Sequence, residues 1–563
     1  MSLPKDHREE TERLIRLRSS TASGREKIAL WLLNEGYYPE QYVLPPCFKI
    51  KSFKLKTSNL INLDSLNPSK AKEFANISFP KTDIMSRTFS IIHPKYYHDI
   101  VFWLINSWND FLDILFDPEN LIYSYSFPIP LNSADENGEG QLRSGRMIYE
   151  FLEMAEKDLV TESHRYKYIV KIDITNFYNS VYTHTIAWAW FNDRKKALSR
   201  KNDNSELGNQ LDKLFQCAND AKSNGLPVGP VVSDLIVEFL LSNRDKVISE
   251  RIKGIDFIAT RFKDDYRFLV KTEDDAKKII KNAIDVLSKY NLLVNEKKTE
   301  IFLLPQGLYR EHSQKYEHYS LRNPPYDHLN KKIPFKKFEA TLLKVIEIHR
   351  AHPGTGIIEK FLSEITIKQK VDETEKEIFQ RLRIEFLPRN IPKAKSSKVV
   401  RKNIRKTLSL LIQLIDESPK SLSRILAVIE CIYMNPEYNW LRNEGIMRRI
   451  VSDELGKAIL EESSFKILWW YYFNERHKVG SDLSACLKEL RENDLCEHSL
   501  QNWPLMHDPF IKTLRGKRYN KSNIKDPFEG DDHDVTMFKE IDGCSFLLDH
   551  LDIFNRDGVI PDC

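Results

Sequence analysis

Asp264 and Asp265 stand side by side between two short runs of β-branched and aromatic residues, 258–262 and 266–270. The pattern predicts two strands joined by a tight turn. Adjacent carboxylates repel each other unless a cation lies between them, and a hard divalent ion such as Mg²⁺ takes oxygen ligands of this kind. A third acid, Asp173, closes the run Tyr168-Ile169-Val170-Lys171-Ile172. A carboxylate in such a strand is costly to bury unless it is paired or metal-bound, so Asp173 asks for the 264–265 turn as its partner. Three carboxylates from two strand segments can hold two metal ions. Such a pair activates an attacking 3′-hydroxyl and stabilises a leaving pyrophosphate oxygen, which is the chemistry of nucleotidyl transfer.

Other elements must bring these acids together. Asn224-Gly225-Leu226-Pro227-Val228-Gly229-Pro230 supplies a turn and the start of a helix with Ser233, Ile236, Val237, Phe239 and Leu240 on its apolar side. Its two glycines let backbone approach a ligand closely. Residues 274–290 form an amphipathic helix on which Ala276, Ile279, Ile280, Ala283, Ile284 and Leu287 recur at helical spacing. A helix is also predicted after Pro94, with Trp103, Ile105, Trp108, Phe111 and Leu115 as core. Residues 194–204 are charged and read as a loop or helix end.

The wording of these stretches resembles reverse transcriptases. Lys171-Ile172-Asp173-Ile174-Thr175-Asn176-Phe177-Tyr178 is similar to the first palm motif, and the Gly225–Pro230 stretch with Ser233 to the motif under the incoming nucleotide. Phe262-Lys263-Asp264-Asp265 stands where the family has Tyr-x-Asp-Asp, and residues 292–299 resemble the next motif, with Asn295 and Lys298-Thr299. The four occur in order over roughly residues 81–310. Residues 180–189 and the Leu-Pro-Val-Gly-Pro form are closer to the bacterial defence-associated, abortive-infection (AbiK-like) branch.

The resemblance implies Asp173, Asp264 and Asp265 as catalytic acids, and the same three with Ile174 as ligands of two Mg²⁺ ions, Mn²⁺ being the alternative. It implies a nucleotide site of Arg143, Arg146, Phe177, Tyr178, Gly225, Pro227, Val228, Gly229, Lys263 and Lys298. Arg143 and Arg146 meet the triphosphate in the fingers or merely flank a helix start. Tyr178 excludes a 2′-hydroxyl by bulk or packs in a half-buried turn. Val228 stands where many members have Gln, and Lys263 where they have a small or apolar residue. Lys298 assists pyrophosphate departure or caps a solvated turn. The implied partners are dNTPs and nucleic acid, the latter a non-coding RNA and/or a DNA product, covalently attached where synthesis is protein-primed. The implied role is antiphage defence by a trimer or hexamer. Tyr433, Tyr438, Tyr471, Tyr472 and Tyr519 are candidate primer hydroxyls. Two further readings stay open, a conventional RNA-templated enzyme that needs a dedicated non-coding RNA and a non-catalytic nucleic-acid-binding scaffold.

At 563 residues the chain exceeds a single core. The 41% hydrophobic and 29% charged shares are those of a globular protein, and a net charge of only +4 means that any nucleic-acid surface comes from local clustering. No apolar run approaches a membrane span and the first ten residues lack a signal-peptide core, so the expectation is a cytoplasmic protein without a membrane partner. Seven scattered cysteines, never Cys-x-x-Cys, speak against zinc or a disulfide framework. The expected fold is α+β: residues 1–80 as an N-terminal segment without assigned role, 81–330 as reverse-transcriptase fingers and palm, and 331–563 as an all-α, HEAT-like helical-repeat domain in place of a thumb. In that last part Lys398, Arg401, Lys402, Arg405 and Lys406 form a basic stripe opposite Val400, Ile404 and Leu408. It tracks a nucleic-acid backbone or is a solvated helix face. Residues 469–473, Trp-Trp-Tyr-Tyr-Phe, are expected in the core, and the tail turns acidic after Asp526 before a last apolar helix.

Overall fold

The computed structural model describes residues 3–129, 145–367, 381–481 and 539–551, apart from 51–52, 57–59, 69–74, 82–84, 220, 329–330, 389–391, 462 and 540. Helices α1 (Leu3–Arg18) and α2 (Ala22–Asn34) lead to a hairpin of β1 (Ala75–Pro80) and β2 (Ser86–Ile91). The helix expected after Pro94 forms as two, α3 (Pro94–Asn106) and α4 (Trp108–Leu115), parted at Ser107. Next come β3 (Ile122–Ser124), α5 (Gly145–Glu162) and β4 (Tyr168–Asp173). The short helices α6 (Phe177–Ser180), α7 (Thr185–Phe191) and α8 (Arg194–Ser199) follow, so part of the charged 194–204 stretch is helical, capped by the Asp193 side chain on Lys195 N. Then come α9 (Leu207–Ala218), α10 (Val231–Arg251), the hairpin of β5 (Phe257–Phe262) and β6 (Asp265–Val270), α11 (Glu273–Leu287) and β7 (Glu300–Leu303).

A five-stranded sheet of order β3-β5-β6-β4-β7 carries the acids; β3 and β5 run parallel and the other pairs antiparallel. Both faces of its middle are covered, which is why β4 carries adjacent buried apolar residues, Ile169 and Val170, and not a strict alternation. Val170, Ile172, Tyr266 and Phe268 join the main core, while Ile169, Ile258 and Leu269 meet Leu159 of α5 and Leu308 in a second cluster. On α11 the expected face is buried at Ala276, Ile279, Ala283 and Leu287, but Ile284 is exposed, because the packed stripe is narrower than its apolar residues.

Residues 1–80 are not a separate segment. Tyr37 donates to the Ile92 carbonyl, and Val231 N donates to the Gly36 carbonyl at 2.9 Å. Gly36 has no room for a side chain there, since a Cβ would lie 2.8 Å from the Leu32 carbonyl oxygen and 3.1 Å from Val231 Cβ. The boundary expected at residue 80 falls inside a hairpin, since Phe79 pairs with Arg87 and Pro80 with Ser86.

Beyond residue 310 come α12 (Glu311–Glu317), β8 (Ile333–Pro334), α13 (Phe335–Ala351), α14 (Ile357–Glu364), β9 (Ile384–Glu385), α15 (Lys393–Glu417) and α16 (Leu422–Tyr433). The chain continues through α17 (Trp440–Asn443), α18 (Ile446–Leu460) and α19 (Ser464–Arg476) to a short helix at Leu547–His550. The expectation of an all-α region is corrected by β8 and β9, which pair in parallel. Two-residue strands carry no periodicity, so nothing in the sequence announced them. Residues 469–473 are buried as expected. This region is not detached from the rest: the Phe79 and Phe465 rings lie 5.0 Å apart, and Trp469 Nε1 donates to the Val43 carbonyl at 3.2 Å. One apolar core runs from Ile15 to Leu551. No described helix is long and apolar enough to cross a membrane.

Candidate active site

Strand register brings the acids together. β4 and β6 pair so that Asp173 lies opposite Asp265, and β5 and β6 pair so that Phe262 lies opposite Asp265, leaving Lys263 and Asp264 as the turn. Lys263 has φ +51°, a conformation a side-chain-bearing residue holds only when its surroundings impose it. Ile174 N donates to the Asp264 carbonyl at 3.2 Å and fixes the turn against the end of β4. The Asp173 carboxylate accepts from Lys298 Nζ at 2.9 Å and from Asn295 Nδ2 at 3.3 Å, and its carbonyl accepts from Asn295 N at 2.7 Å. Asp265 lies 3.5 Å from Arg267.

The electrostatics follow from this crowding. Burial first, and then the charges of Asp173 and Asp265, push the Asp264 carboxyl up to about 6. Asp265 is raised by burial and by Asp173, against the pull of Arg267. Three neighbouring carboxylates are the hard-oxygen donor set a divalent ion favours. Among the described residues no three acidic, His or Cys side chains are already closed around a metal position. Lys298 and Arg267 instead share the acids' charge, so the residues fit divalent ions by donor chemistry, with Lys298 as the group an ion would displace.

The support beneath the turn was not foreseen. Arg261, 1% exposed, donates to Asp245 at 2.7 Å and to both oxygens of Glu238 at 3.1 Å, and also to the Lys263 carbonyl at 3.1 Å. Lys263 N donates to Ser126 Oγ at 2.7 Å, and Ser126 Oγ in turn to Glu238. Tyr266 donates to the other Asp245 oxygen at 2.8 Å. The strained turn is thus held on both sides by a buried, fully hydrogen-bonded charge cluster.

The expected nucleotide residues divide. Tyr178 is half-buried on α6 and donates to Asp234 of α10, and Lys263 Nζ lies 3.6 Å from the same carboxylate. The Phe177 ring is 4% exposed and packs in the core, so its side chain does not face a ligand. Gly225 N donates to the Val181 carbonyl at 2.7 Å, Pro227 is buried, and the Val228 carbonyl accepts from Ser90 N of β2 at 2.8 Å. Gly229 has φ +124°, and a Cβ there would sit 3.1 Å from Pro39 and 3.2 Å from Phe89. What meets this position is the side chains of Pro39 and Phe89, so the absence of a side chain here serves packing within the chain. Gly229→Ala is therefore expected to cost about 1–3 kcal/mol, read as a lowered urea midpoint with unchanged m-value. Arg143 lies outside the described residues, as does the side chain of Arg146, whose backbone opens α5.

Two basic residues that sequence reasoning missed are Lys81 and Arg87, on the β1–β2 hairpin. Desolvation, then Arg87 and Lys298, lower Lys81, while Asp173 and Asp264 raise it, so these charges share one space. The β-alternation of 75–80 and 86–91 was the available signal.

The basic stripe is partly spent within the chain. Arg401 and Arg405 both pair with Glu444 and lie over the Trp440 ring at 5.0 and 5.5 Å, and Lys406 pairs with Glu339 at 2.9 Å. Lys398 and Lys402 are exposed. Of the tyrosines considered as primers, Tyr433, Tyr471 and Tyr472 are buried, Tyr438 is half-buried, and Tyr519 lies outside the described residues, as does the acidic stretch after Asp526.

Residues 132–341 match the family described as reverse transcriptase (RNA-dependent DNA polymerase). No curated protein matches the chain. Among solved structures, apo telomerase from Candida tropicalis matches with 13% identity and a TM-score of 0.23 over 65% of this chain and 56% of that one. Telomerase from Candida albicans in complex with a TWJ fragment of telomeric RNA matches with 12% identity and a TM-score of 0.24 over 70% and 64%. The corresponding Candida tropicalis complex matches with 13% identity and a TM-score of 0.26 over 76% and 62%. The chain spans less than two thirds of the length of each of these structures.

Proposed function

We propose that the reverse transcriptase domain carried by residues 132–341, an RNA-directed DNA polymerase and nucleotidyltransferase by family, makes DNA at the Asp173–Asp264–Asp265 cluster. The observation that carries this reading is the strand register that sets Asp173 opposite Asp265 with Asp264 in the adjoining turn. Reverse transcriptase domains use divalent ions. When bound by the three carboxylates, with Ile174 alongside, two Mg²⁺ (or Mn²⁺) ions would supply activation of the attacking hydroxyl and charge stabilisation of the leaving pyrophosphate.

The chain's own residues do the rest. Lys298, and Lys81 with Arg87 across from it, offer positive charge to a triphosphate, and the buried cluster around Arg261 holds the acids where charge develops. The Tyr178 ring selects deoxy- over ribonucleotides. Sequence likeness to the abortive-infection branch supports an antiphage role, with synthesis primed by a protein hydroxyl and untemplated, or templated by a partner RNA. It likewise supports a HEAT-like C-terminal part, a trimeric or hexameric assembly and a cytoplasmic location. Burial of Tyr433, Tyr471 and Tyr472 favours Tyr438 or a tyrosine elsewhere as primer. Lys398 and Lys402 remain the nucleic-acid contacts of the basic stripe, with Arg401 and Arg405 turned to Glu444.

The test is incubation of the purified chain with Mg²⁺ and each labelled dNTP, without primer or template, read on a denaturing gel beside RNase-treated and Asp264→Ala samples. Label that moves with the protein and shifts on proteolysis is expected. Loss of that label on RNase treatment would identify a bound RNA as template or scaffold. Activity only with added primer and template would mean a conventional RNA-templated enzyme. No incorporation under any condition would leave the non-catalytic scaffold.

A further inference from the structure

Tyr178 does not stand alone at the site. Its ring packs edge-on to Phe177 at 5.4 Å, and its hydroxyl donates to Oδ1 of Asp234, which is 4% exposed in the first turn of α10. The other oxygen of Asp234 lies 3.6 Å from Lys263 Nζ, and that ammonium is 6.0 Å from the centre of the Tyr178 ring. Lys263 is itself fixed by its backbone, whose amide donates to Ser126 Oγ at 2.7 Å and whose carbonyl accepts from Arg261 at 3.1 Å. Asp234 therefore ties together three elements: the helix after Asp173, the helix after the Gly225–Pro230 loop, and the acid turn.

A ring excludes a 2′-hydroxyl only as far as it cannot swing aside. A phenol held by a carboxylate at one end and by its own backbone at the other has lost that freedom, and the hydrogen bond is of the stronger, charge-assisted kind. Lys263 sets a positive charge beside this buried carboxylate.

We propose that Asp234, with Lys263 as its counter-ion, is a positioning residue for sugar selection: it fixes the Tyr178 ring and so sets how strongly deoxynucleotides are preferred. This rests on the reading of Tyr178 as the group that excludes the 2′-hydroxyl.

The test measures kcat/KM for dTTP and for ribothymidine triphosphate, which differ only at the 2′ position, with the full chain, Mg²⁺ and oligo(dT) on poly(rA). If the chain extends only itself, covalent uptake of each labelled triphosphate replaces extension. Tyr178→Ala is expected to erase most of the discrimination. Tyr178→Phe and Asp234→Ala are each expected to lower it about tenfold, and the double variant no further, because both cut the same bond. Asp234→Asn, which keeps an acceptor, should fall between. Tyr178→Phe removes a single oxygen, so a poorly folded Asp234→Ala would not stop the test. If Tyr178→Ala relaxes the ratio while Tyr178→Phe and Asp234→Asn leave it at the unaltered value, the tether is irrelevant and only this inference falls. An unchanged ratio in Tyr178→Ala would remove the reading of Tyr178 itself, and this inference with it.

Discussion

Asp264→Asn is expected to abolish DNA synthesis while making the protein more stable. Loss of a charged ligand at the point where charge develops lowers turnover by roughly 10²–10³-fold or more. The gain in stability follows from the position of Asp264. Its carboxyl is raised from 3.8 to about 6 by burial and by Asp173 and Asp265. A carboxyl raised on folding adds stability below its unfolded value and loses it as pH climbs through the folded value, so at pH 7 the chain carries the full cost of that charge. The neutral amide removes the cost, on the order of 1–2 kcal/mol after solvent screening, seen as a Tm higher by a few degrees at pH 7 without divalent ions. The difference from the unaltered chain should shrink as pH falls from 7 towards 4. Mg²⁺ should raise the Tm of the unaltered chain and leave the variant where it is. A variant that lost both activity and stability would mean that Asp264 is structural.

The second large effect is expected at Arg261. Arg261→Met leaves Glu238 and Asp245, 2% and 0% exposed, facing each other without their cation. Breaking a buried pair in this way costs about 3–5 kcal/mol, a large fraction of what holds a domain folded. Asp245, pushed up to about 6 by burial even with Arg261 present, would take up a proton in the variant at neutral pH. Adding Glu238→Gln and Asp245→Asn to Arg261→Met should recover much of the loss, since the cost lies in the orphaned charges and not in the lost contact. Urea unfolding of Arg261→Met, of the Glu238→Gln/Asp245→Asn double variant and of the triple variant measures this. Additive losses would show that the cluster is not a coupled unit.

The acids were legible in the sequence because their strands are. A hairpin with two acids at its turn is common on its own, but beside a β-branched run ending on Asp173 it points to a shared site, and the observed register pairs them. Asn295 and Lys298 were legible through the same motifs, and the structure sets both on Asp173. The supporting cluster was not, because Arg261, Glu238 and Asp245 are 16 and 23 positions apart and each alone reads as a solvent-facing charge. Only the fold shows that they share one buried space. Tyr178 suggested a role from its neighbours, but its bond to Asp234 spans 56 positions and has no local signature. Lys81 and Arg87 were hidden for a related reason: Asp173 and Asp264, whose charges reach Lys81, are about 90 and 180 positions away, and a lone Lys or Arg on a hairpin reads as a solvent-facing charge. The separation of residues 1–80 from the rest misread Tyr37 and Val43, whose partners Ile92 and Trp469 lie in parts assigned to other domains.

The joining of distant parts in one core has a consequence for how the chain is made. The Val43 carbonyl is met by Trp469, 426 positions later, and the Gln41 carbonyl by His550, 509 positions later. At about 5–20 residues per second the ribosome needs on the order of 20–100 s to deliver those partners. Throughout that interval Tyr42, Val43 and Leu44 lack their final cover, so an apolar segment stays exposed on the nascent chain far longer than a local contact would leave it.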